Sequence, residues 1–350
     1  MFSSTSSTCL HTTSRHHIDA VSPGPETLTA CATSALTGDV WDGQLLLLDL
    51  TAGAPAAPAA AVATSAGVSN VAWVSADTLA TGDDGGDVTL WQRAAAFDGR
   101  GFSLTPVTTF GEHSQPITAV APCLAAPTRL ASTSLDGTAM VWTAGVAGGP
   151  TASLEHLPAH SWCDVQVHSA AWLGTSAESV ATGASDGVVR LWDLRAARPA
   201  ASRFAPHSAA VLSLLPGAAE SQLLAGAESG ELLLLDTRKL GASVASAAVP
   251  ATSSAASVGS GRARPGYALT SLCALRTPAA PLVAAGTEDG LLAAIDPRDL
   301  KVLSTVAAHE GNAAAVARLP AAAGGTESGL TLLSGGWDKR LLRHDLVPAA

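Results

Sequence analysis

A histidine, a serine and an aspartate lie close together in the segment HSQPITAVAPCLAAPTRLASTSLDG: His113, Ser134 and Asp136. In acyl-transfer enzymes a carboxylate orients an imidazole, which in turn activates a hydroxyl. Such a site would occur once and would need an oxyanion hole. Here a similar histidine-to-aspartate spacing recurs with the repeat at His160 and Asp186, so we interpret these residues as structural rather than catalytic.

Other candidates for chemistry are sparse. The sequence has no P-loop, no HExxH motif and no nucleotide-binding glycine fingerprint. His16 and His17 form a lone pair without further nearby ligands, and the five cysteines are scattered without a CxxC pair. We therefore expect no metal, no cofactor and no enzymatic activity, and the recurring residues must belong to a repeated structural element.

One segment repeats along the chain. In ASDGVVRLWDLR, residues 184–195, Trp192 follows the turn residue Gly187 by five positions and precedes an aspartate. Lys339 holds the glycine position in the last copy. Seven segments share this frame, with these anchors: Leu48, Trp91, Trp142, Trp192, Leu235, Ile295 and His344. The anchors lie 43 to 60 residues apart, which fits the roughly 40–45 residues of a four-stranded propeller blade with loop insertions.

Short β-prone runs separated by turn signals, without helical periodicity, predict an all-β fold. We expect residues 1–350 to form a single seven-bladed propeller, because repeat folds grow by adding blades. Few residues follow Asp345, so the last blade needs its outer strand from elsewhere. We expect residues around Ser6–Thr13 to supply it and close the ring, so that deleting the first dozen residues destabilises the whole domain.

Three segments have the composition of loops rather than strands: residues 51–66, 92–109 and 242–266. The last is rich in Ala and Ser, and we expect it to be flexible. Arg262 and Arg264 make it locally basic, but a solvated linker is the favoured interpretation.

The charge balance restricts the class of partner. The formal net charge is −10, whereas a protein that binds nucleic-acid phosphates normally carries a basic face. An acidic surface attracts Arg- and Lys-rich protein tails, or it serves solubility alone. No apolar run approaches the ~20 residues of a membrane helix, and the N-terminus lacks a secretory apolar core. We expect no nucleic-acid or membrane partner and a location in the cytoplasm and nucleus.

The first blade contains a candidate binding loop, LTGDVWDGQ, which is longer than the corresponding turns of the other blades. Trp41 lies in it, and a large aromatic side chain at a loop tip is a typical interface anchor. The alternative is that Trp41 packs back onto its own blade.

These repeats resemble the WD-repeat family of propellers. In that family a blade is often held by a hydrogen-bonded chain from a loop histidine through a strand hydroxyl to the turn aspartate and the strand tryptophan. The resemblance implies this chain in blade three, and only part of it in later blades, where Ala184 stands at the hydroxyl position of blade four and His207 and His309 have incomplete partners. The residues of this predicted lock are His113, Ser134, Asp136, Trp142, Asp186 and Trp192.

Longer passages are similar to the WD-repeat methylosome subunits, the propeller partners of type II protein arginine methyltransferases. They include SALTGDVWDGQLLLLD at 34–49, GVSNVAWVSADTLATGDDGGDVTLW at 67–91 and LLSGGWDKRLLRHDLVP at 332–348. The resemblance implies that the Trp41 loop, with Asp39 and Val40, contacts the N-terminal barrel domain of the methyltransferase. Asp39 replaces a basic residue of that family, and the Ala/Ser insertion before Arg262 is a second departure.

This resemblance implies a non-catalytic scaffold that stabilises the methyltransferase and presents Arg-rich substrates such as histone tails and Sm proteins. The partner then supplies the chemistry with S-adenosylmethionine. A second interpretation stays open, because Trp192, Asp193 and Arg195 match the WDxR ending of propellers that serve as substrate receptors of cullin-type ubiquitin ligases.

Overall fold

The chain folds into seven four-stranded antiparallel sheets, the blades of a seven-bladed β-propeller, as predicted. A computed structural model describes residues 2–37, 40–50, 58–97, 101–145, 149–155, 165–175, 177–196, 201–204, 208–239, 243–249, 267–276, 281–319 and 330–348. Within these ranges no helix is long and apolar enough to cross a bilayer.

Blades one to six use their strands in chain order, from the inner strand at the ring axis to the outer strand at the rim, and blade seven takes its outer strand from the N-terminus. Blade one comprises β2 His17–Pro23, β3 Leu28–Thr37, β4 Val40–Asp49 and β5 Pro58–Thr64, and blade two comprises β6 Val68–Trp73, β7 Thr78–Asp83, β8 Val88–Ala95 and β9 Phe102–Phe110. Blade three comprises β10 Ile117–Pro122, β11 Arg129–Ser134, β12 Thr138–Thr143 and β13 Ala152–Glu155, and blade four comprises β14 Val167–Trp172, β15 Ser179–Ala184, β16 Val189–Asp193 and β17 Ala201–Phe204. Blade five comprises β18 Val211–Pro216, β19 Gln222–Ala227, β20 Glu231–Asp236 and β21 Ser243–Ala248. Blade six comprises β22 Leu269–Arg276, β23 Pro281–Thr287, β24 Leu291–Asp296 and β25 Lys301–Ala307. Blade seven comprises β26 Ala315–Leu319, β27 Leu330–Gly335, β28 Arg340–Pro348 and β1 Phe2–Thr12.

The N-terminal strand closes the ring. β1 pairs antiparallel with β28 from Phe2 opposite Pro348 to Thr12 opposite Arg340, and completes blade seven as its outer strand. Leu10 of β1 is buried in a cluster that also contains Leu341 of blade seven and Ile18 of blade one. The closing strand predicted near Ser6–Thr13 is therefore present, and it begins earlier than predicted.

The core lies between neighbouring blades, so a middle strand is buried on both faces. In the run Leu45–Leu48, Leu45 and Leu47 pack towards blade two, whereas Leu46 and Leu48 pack towards blade seven. The run Leu232–Leu235 divides in the same way between two clusters. Because alternate side chains of a strand point to opposite faces, a continuous leucine run satisfies both interfaces.

The turn glycines of the repeat have a conformational role. Five of them, in blades two to six, have φ between 73° and 92°, a region that glycine enters without steric cost: Gly86, Gly137, Gly187, Gly230 and Gly290. Lys339 adopts the same conformation in blade seven with φ of 68°. Gly43 does not, because β3 and β4 continue beyond it and pair as far as Thr37 opposite Val40.

The three predicted loops were partly wrong, because each contains all or nearly all of the outer strand of a blade. β5 lies within 51–66, β21 lies within 242–266, and β9 overlaps 92–109 but ends one residue beyond it. An outer strand has one neighbour and one solvated side, so it needs few large apolar residues and its sequence lacks the usual strand signal. The rest of the predicted flexible loop, residues 250–266, lies outside the described residues.

We expect deletion of residues 1–12 to lower the thermal unfolding midpoint of the entire domain in one transition. The deletion exposes the edge of β28 and removes Leu10 from the cluster between blades seven and one. Differential scanning calorimetry measures this directly.

Two point variants in β1 distinguish the loss of buried side-chain packing from the effect of shortening the chain. Leu10→Ala should lower the free energy of unfolding by about 2–4 kcal/mol, because Leu10 is buried. Cys9→Ala, at an exposed neighbouring position, should change it by less than about 0.5 kcal/mol. An unchanged midpoint in the deletion and in Leu10→Ala would contradict closure by β1.

Candidate interaction surface

A hydrogen-bonded chain, here called the blade lock, crosses blade three. His113 Nδ1 lies 2.9 Å from Asp136 Oδ2, and His113 Nε2 lies 2.8 Å from Ser132 Oγ. The indole N–H of Trp142 donates to the same Ser132 Oγ at 2.8 Å. Because indole only donates and a carboxylate only accepts, the chain runs from Trp142 through Ser132 and His113 to Asp136.

The carboxylate at the end of the lock is held ionised. Burial alone would raise the pKa of Asp136, but hydrogen bonds from His113 and Thr138 outweigh it and keep this pKa well below its usual range. Asp136 Oδ2 also accepts from the backbone N–H of Ser114 at 3.1 Å. The turn of blade three is thereby tied to the loop that enters β10.

The lock has the connectivity of a catalytic triad but offers no nucleophile. Ser132 has no exposed surface, and its oxygen already accepts the Trp142 indole N–H. A substrate carbonyl has no access to a hydroxyl in this position. The geometry therefore gives the histidine, serine and aspartate a structural role.

The predicted hydroxyl of this lock was wrong. Ser134 Oγ instead donates to the carbonyl of Gln115 at 2.9 Å and accepts from the N–H of Asp136. Trp142 pairs with Leu130 across β11 and β12, so its indole reaches the diagonal neighbour Ser132. Ser134 lies four residues from Leu130, roughly 13 Å along the strand, and is out of reach.

The same correction applies to other blades, where the hydroxyl lies ten residues before the tryptophan. Trp91 donates to Thr81 and Trp192 to Thr182, both at 2.8 Å. Ala184 of blade four is therefore not a missing member. Asp186 forms a bidentate ion pair with the buried Arg190, with contacts of 2.6 and 3.2 Å. The predicted partners His160 and His207 lie outside the described residues.

Blade seven contains a complete lock that the sequence did not predict. His309 contacts Asp338 through Nδ1 at 2.8 Å and Ser334 through Nε2 at 2.7 Å. Ser334 Oγ then lies 2.7 Å from Nε2 of His344, which replaces tryptophan, and His344 Nδ1 lies 2.9 Å from Ser7 Oγ in β1. The lock thus extends from the turn of blade seven to the strand that closes the ring.

The two imidazoles of this lock are neutral. Burial lowers the pKa of His344 to about 4 and also lowers the pKa of His309. A neutral imidazole has one donor and one acceptor, so each ring can serve one neighbour on each side. The chain then runs continuously from the Ser7 hydroxyl to the Asp338 carboxylate.

One further motif has catalytic spacing. The segment GASDG at 183–187 matches G-x-S-x-G, the pattern of a nucleophile elbow. In the structure it is the hairpin turn between β15 and β16, not a strand-to-helix turn, and Ser185 Oγ accepts the backbone N–H of Gln166 at 3.0 Å. This serine therefore stabilises a turn.

The hairpin of blade one presents two apolar side chains to solvent. Trp41 and Leu36 are paired across β4 and β3, and they are 48% and 54% exposed. Asp42 braces the hairpin through an ion pair of 2.9 Å with Arg15 and a 3.6 Å contact with His16. Of the other predicted contact residues, Val40 begins β4, and Asp39 lies outside the described residues.

The predicted WDxR motif is part of a recurring arrangement. Trp192 is buried, whereas Arg195 Nε donates to Asp193 at 2.8 Å and its side chain is 73% exposed. The same aspartate-to-arginine pairing occurs between Asp236 and Arg238, and in blade six. The pairing alone therefore does not distinguish Arg195 from its counterparts.

The ring axis contains a cavity whose lining residues no sequence motif indicated. Its volume is about 340 Å³, and inner strands from all seven blades line it, including Asp19, Ser69, Thr118 and His168. No three described His, Cys, Asp or Glu side chains converge as metal ligands. The register of the inner strands decides which side chains face the axis, and no sequence pattern indicates that register.

Comparison with known proteins agrees with the repeat. The family model described as "WD domain, G-beta repeat" matches residues 104–143 and 151–193, which cover most of blades three and four. No curated protein matches the chain. The chain is therefore a seven-bladed propeller with WD repeats at the matched residues, and a propeller with such repeats is typically a non-catalytic platform for protein–protein interaction.

Replacing the lock hydroxyl tests the geometry of blade three. Ser132→Ala leaves two buried ring nitrogens, of His113 and Trp142, without their partner, and should lower the free energy of unfolding by about 2–4 kcal/mol. Ser134→Ala is the matched control, equally buried but outside the lock, and should cost about 1 kcal/mol. Denaturant unfolding measures both, and a larger loss in Ser134→Ala would refute this assignment.

Proposed function

We propose that this protein is a non-catalytic scaffold and substrate-presenting subunit of a protein arginine methyltransferase complex. In this assembly the hairpin with Trp41 and Leu36 docks on the N-terminal barrel domain of the methyltransferase. The subunit presents histone tails and Sm proteins in the cytoplasm and nucleus. It contributes no cofactor and binds neither nucleic acid nor membrane.

The exposure of the paired Trp41 and Leu36 is the observation that carries this proposal. These two apolar side chains are about half exposed at the tip of a braced hairpin in the free ring. Burying them against a partner therefore stabilises the complex. Because Arg15 and His16 hold the base of the hairpin, it loses little freedom on binding. The net charge of −10 supports the presentation of Arg-rich tails.

A second candidate, a substrate receptor of a cullin-type ubiquitin ligase, rests on the match of Trp192, Asp193 and Arg195 to the WDxR ending, since Arg195 is no more exposed than its counterpart Arg238. Pull-down from a native lysate separates the two: an arginine methyltransferase in the eluate supports the first function, and a ligase adaptor supports the second.

We expect Trp41→Ala to weaken binding to the purified type II methyltransferase at least about tenfold, as for an aromatic interface anchor. Its thermal unfolding midpoint should stay nearly unchanged, because the indole is half exposed. Isothermal titration calorimetry measures the affinity.

Phe97→Ala is the matched control, because Phe97 is fully exposed and lies beyond the end of β8, away from the blade-one hairpin. It should bind the methyltransferase like the unmodified protein. Equal affinities for Trp41→Ala and Phe97→Ala would remove the docking assignment.

A further inference from the structure

An exposed indole lies next to Asp19, a residue that lines the axial cavity. Trp337 lies in the turn between β27 and β28 and is 53% exposed. Its backbone N–H donates to the carbonyl of Asn312 at 3.1 Å, and its own carbonyl lies 2.7 Å from Nδ1 of His17. The rings of His17 and Trp337 are 5.6 Å apart. The indole is thus held in place although half of it faces solvent.

A carboxylate lies beside this indole. Asp19 of β2 lines the cavity, and its Oδ2 accepts from Ser34 Oγ at 2.6 Å. Burial raises the pKa of Asp19 to about 7, and hydrogen bonding from Ser34 and from the Trp337 side chain offsets this only in part. Neutral donors therefore orient the carboxyl group of Asp19, and no cation among the described residues offsets the cost of ionising it.

A second acidic group borders the first. A Cβ at Gly67 would lie 2.3 Å from Asp84 Oδ2 and 2.9 Å from Ser34 Cβ, so the absence of a side chain at Gly67 lets Asp84 approach Ser34. Burial, and then repulsion by Asp83, raises the pKa of Asp84. Asp84 in turn acts on Asp19 as a like charge.

Three arginines of the surrounding surface are already paired. Arg15 binds Asp42, Arg190 binds Asp186 and Arg340 binds Asp338. Within the part of the chain that the structure describes, no ion pair reaches Asp19 or Asp84. This part of the surface therefore combines two acidic groups that have no ion-pair partner among the described residues, an exposed aromatic ring and the adjacent cavity.

This combination fits one kind of ligand. A guanidinium binds carboxylates through several N–H groups and stacks on an indole face, whereas an ammonium is a strongly hydrated point charge. We propose that the channel mouth formed by Asp19, Asp84 and Trp337 binds an arginine side chain carried on an extended basic protein segment. This site adds to the proposed function but does not rest on it, because the free propeller contains every residue of the site.

Binding of a fluorescein-labelled Gly/Ser decapeptide with one central arginine, measured by anisotropy with the free protein at low salt, tests the site. Asp19→Asn should weaken binding at least about tenfold, and Trp337→Ala by about threefold. A peptide with lysine should bind more weakly than the arginine peptide, and one with glutamine should not bind.

Asp193→Asn is the matched control, because it removes the same charge at the end of β16 remote from the channel mouth. It should bind the arginine peptide within twofold of the unmodified protein. Asp19→Asn should retain or raise the thermal midpoint at pH 8, because burial disfavours the ionised carboxylate of Asp19.

Three results would overturn the proposal: no binding of the arginine peptide, equal losses in Asp19→Asn and Asp193→Asn, or equal binding of the lysine peptide. Trp41→Ala should bind the peptide like the unmodified protein. The peptide assay therefore tests the arginine site, and the methyltransferase assay tests docking, so that failure of one proposal is distinguishable from failure of the other.

Discussion

The pairing of β1 with β28 is the constraint on which the rest of the structure depends. It joins the first residues of the chain to the last described strand, over a sequence separation of more than 300 residues. Without it blade seven has an open edge, and the cluster containing Leu10, Ile18 and Leu341 loses a member at the junction with blade one. The hydrogen bond between His344 and Ser7 adds a polar contact to the same junction.

Closure also determines what the surface presents. Trp337 belongs to blade seven and Asp19 to blade one, so these residues become neighbours only when the ring is complete. Arg15 and His16, which brace the hairpin of Trp41, lie in the short connection between the closing strand and β2. Both proposed binding sites therefore depend on the junction between blades seven and one, while the remaining blades supply a rigid support.

The fold was predictable because its signal is repeated. Each anchor is weak alone, but seven with a common frame define the number of blades, and the turn glycines mark the reversals. The outer strands were not predictable, since β5, β9 and β21 have one solvated side and little apolar periodicity. Ser132 was confused with Ser134 because the choice depends on the pairing of Leu130 with Trp142, which only the register reveals.

The candidate sites were predictable to different degrees. Trp41 could be found from sequence, since a tryptophan in an unusually long turn is a local feature. Asp19 and Trp337 could not, because they lie far apart in the chain, Asp19 belongs to no recognisable motif, and the passage at 332–348 does not indicate that the Trp337 indole meets Asp19. An isolated aspartate in an inner strand acquires meaning only from burial, and burial depends on the whole ring.

Native-state hydrogen exchange of β1 tests the central claim most directly. If the strand closes the ring, the hydrogen-bonded amides of β1 exchange only through global unfolding, with the same free energy of opening as the amides of β27. Rapid exchange throughout β1, with β27 still protected, would show a frayed terminus and contradict this account.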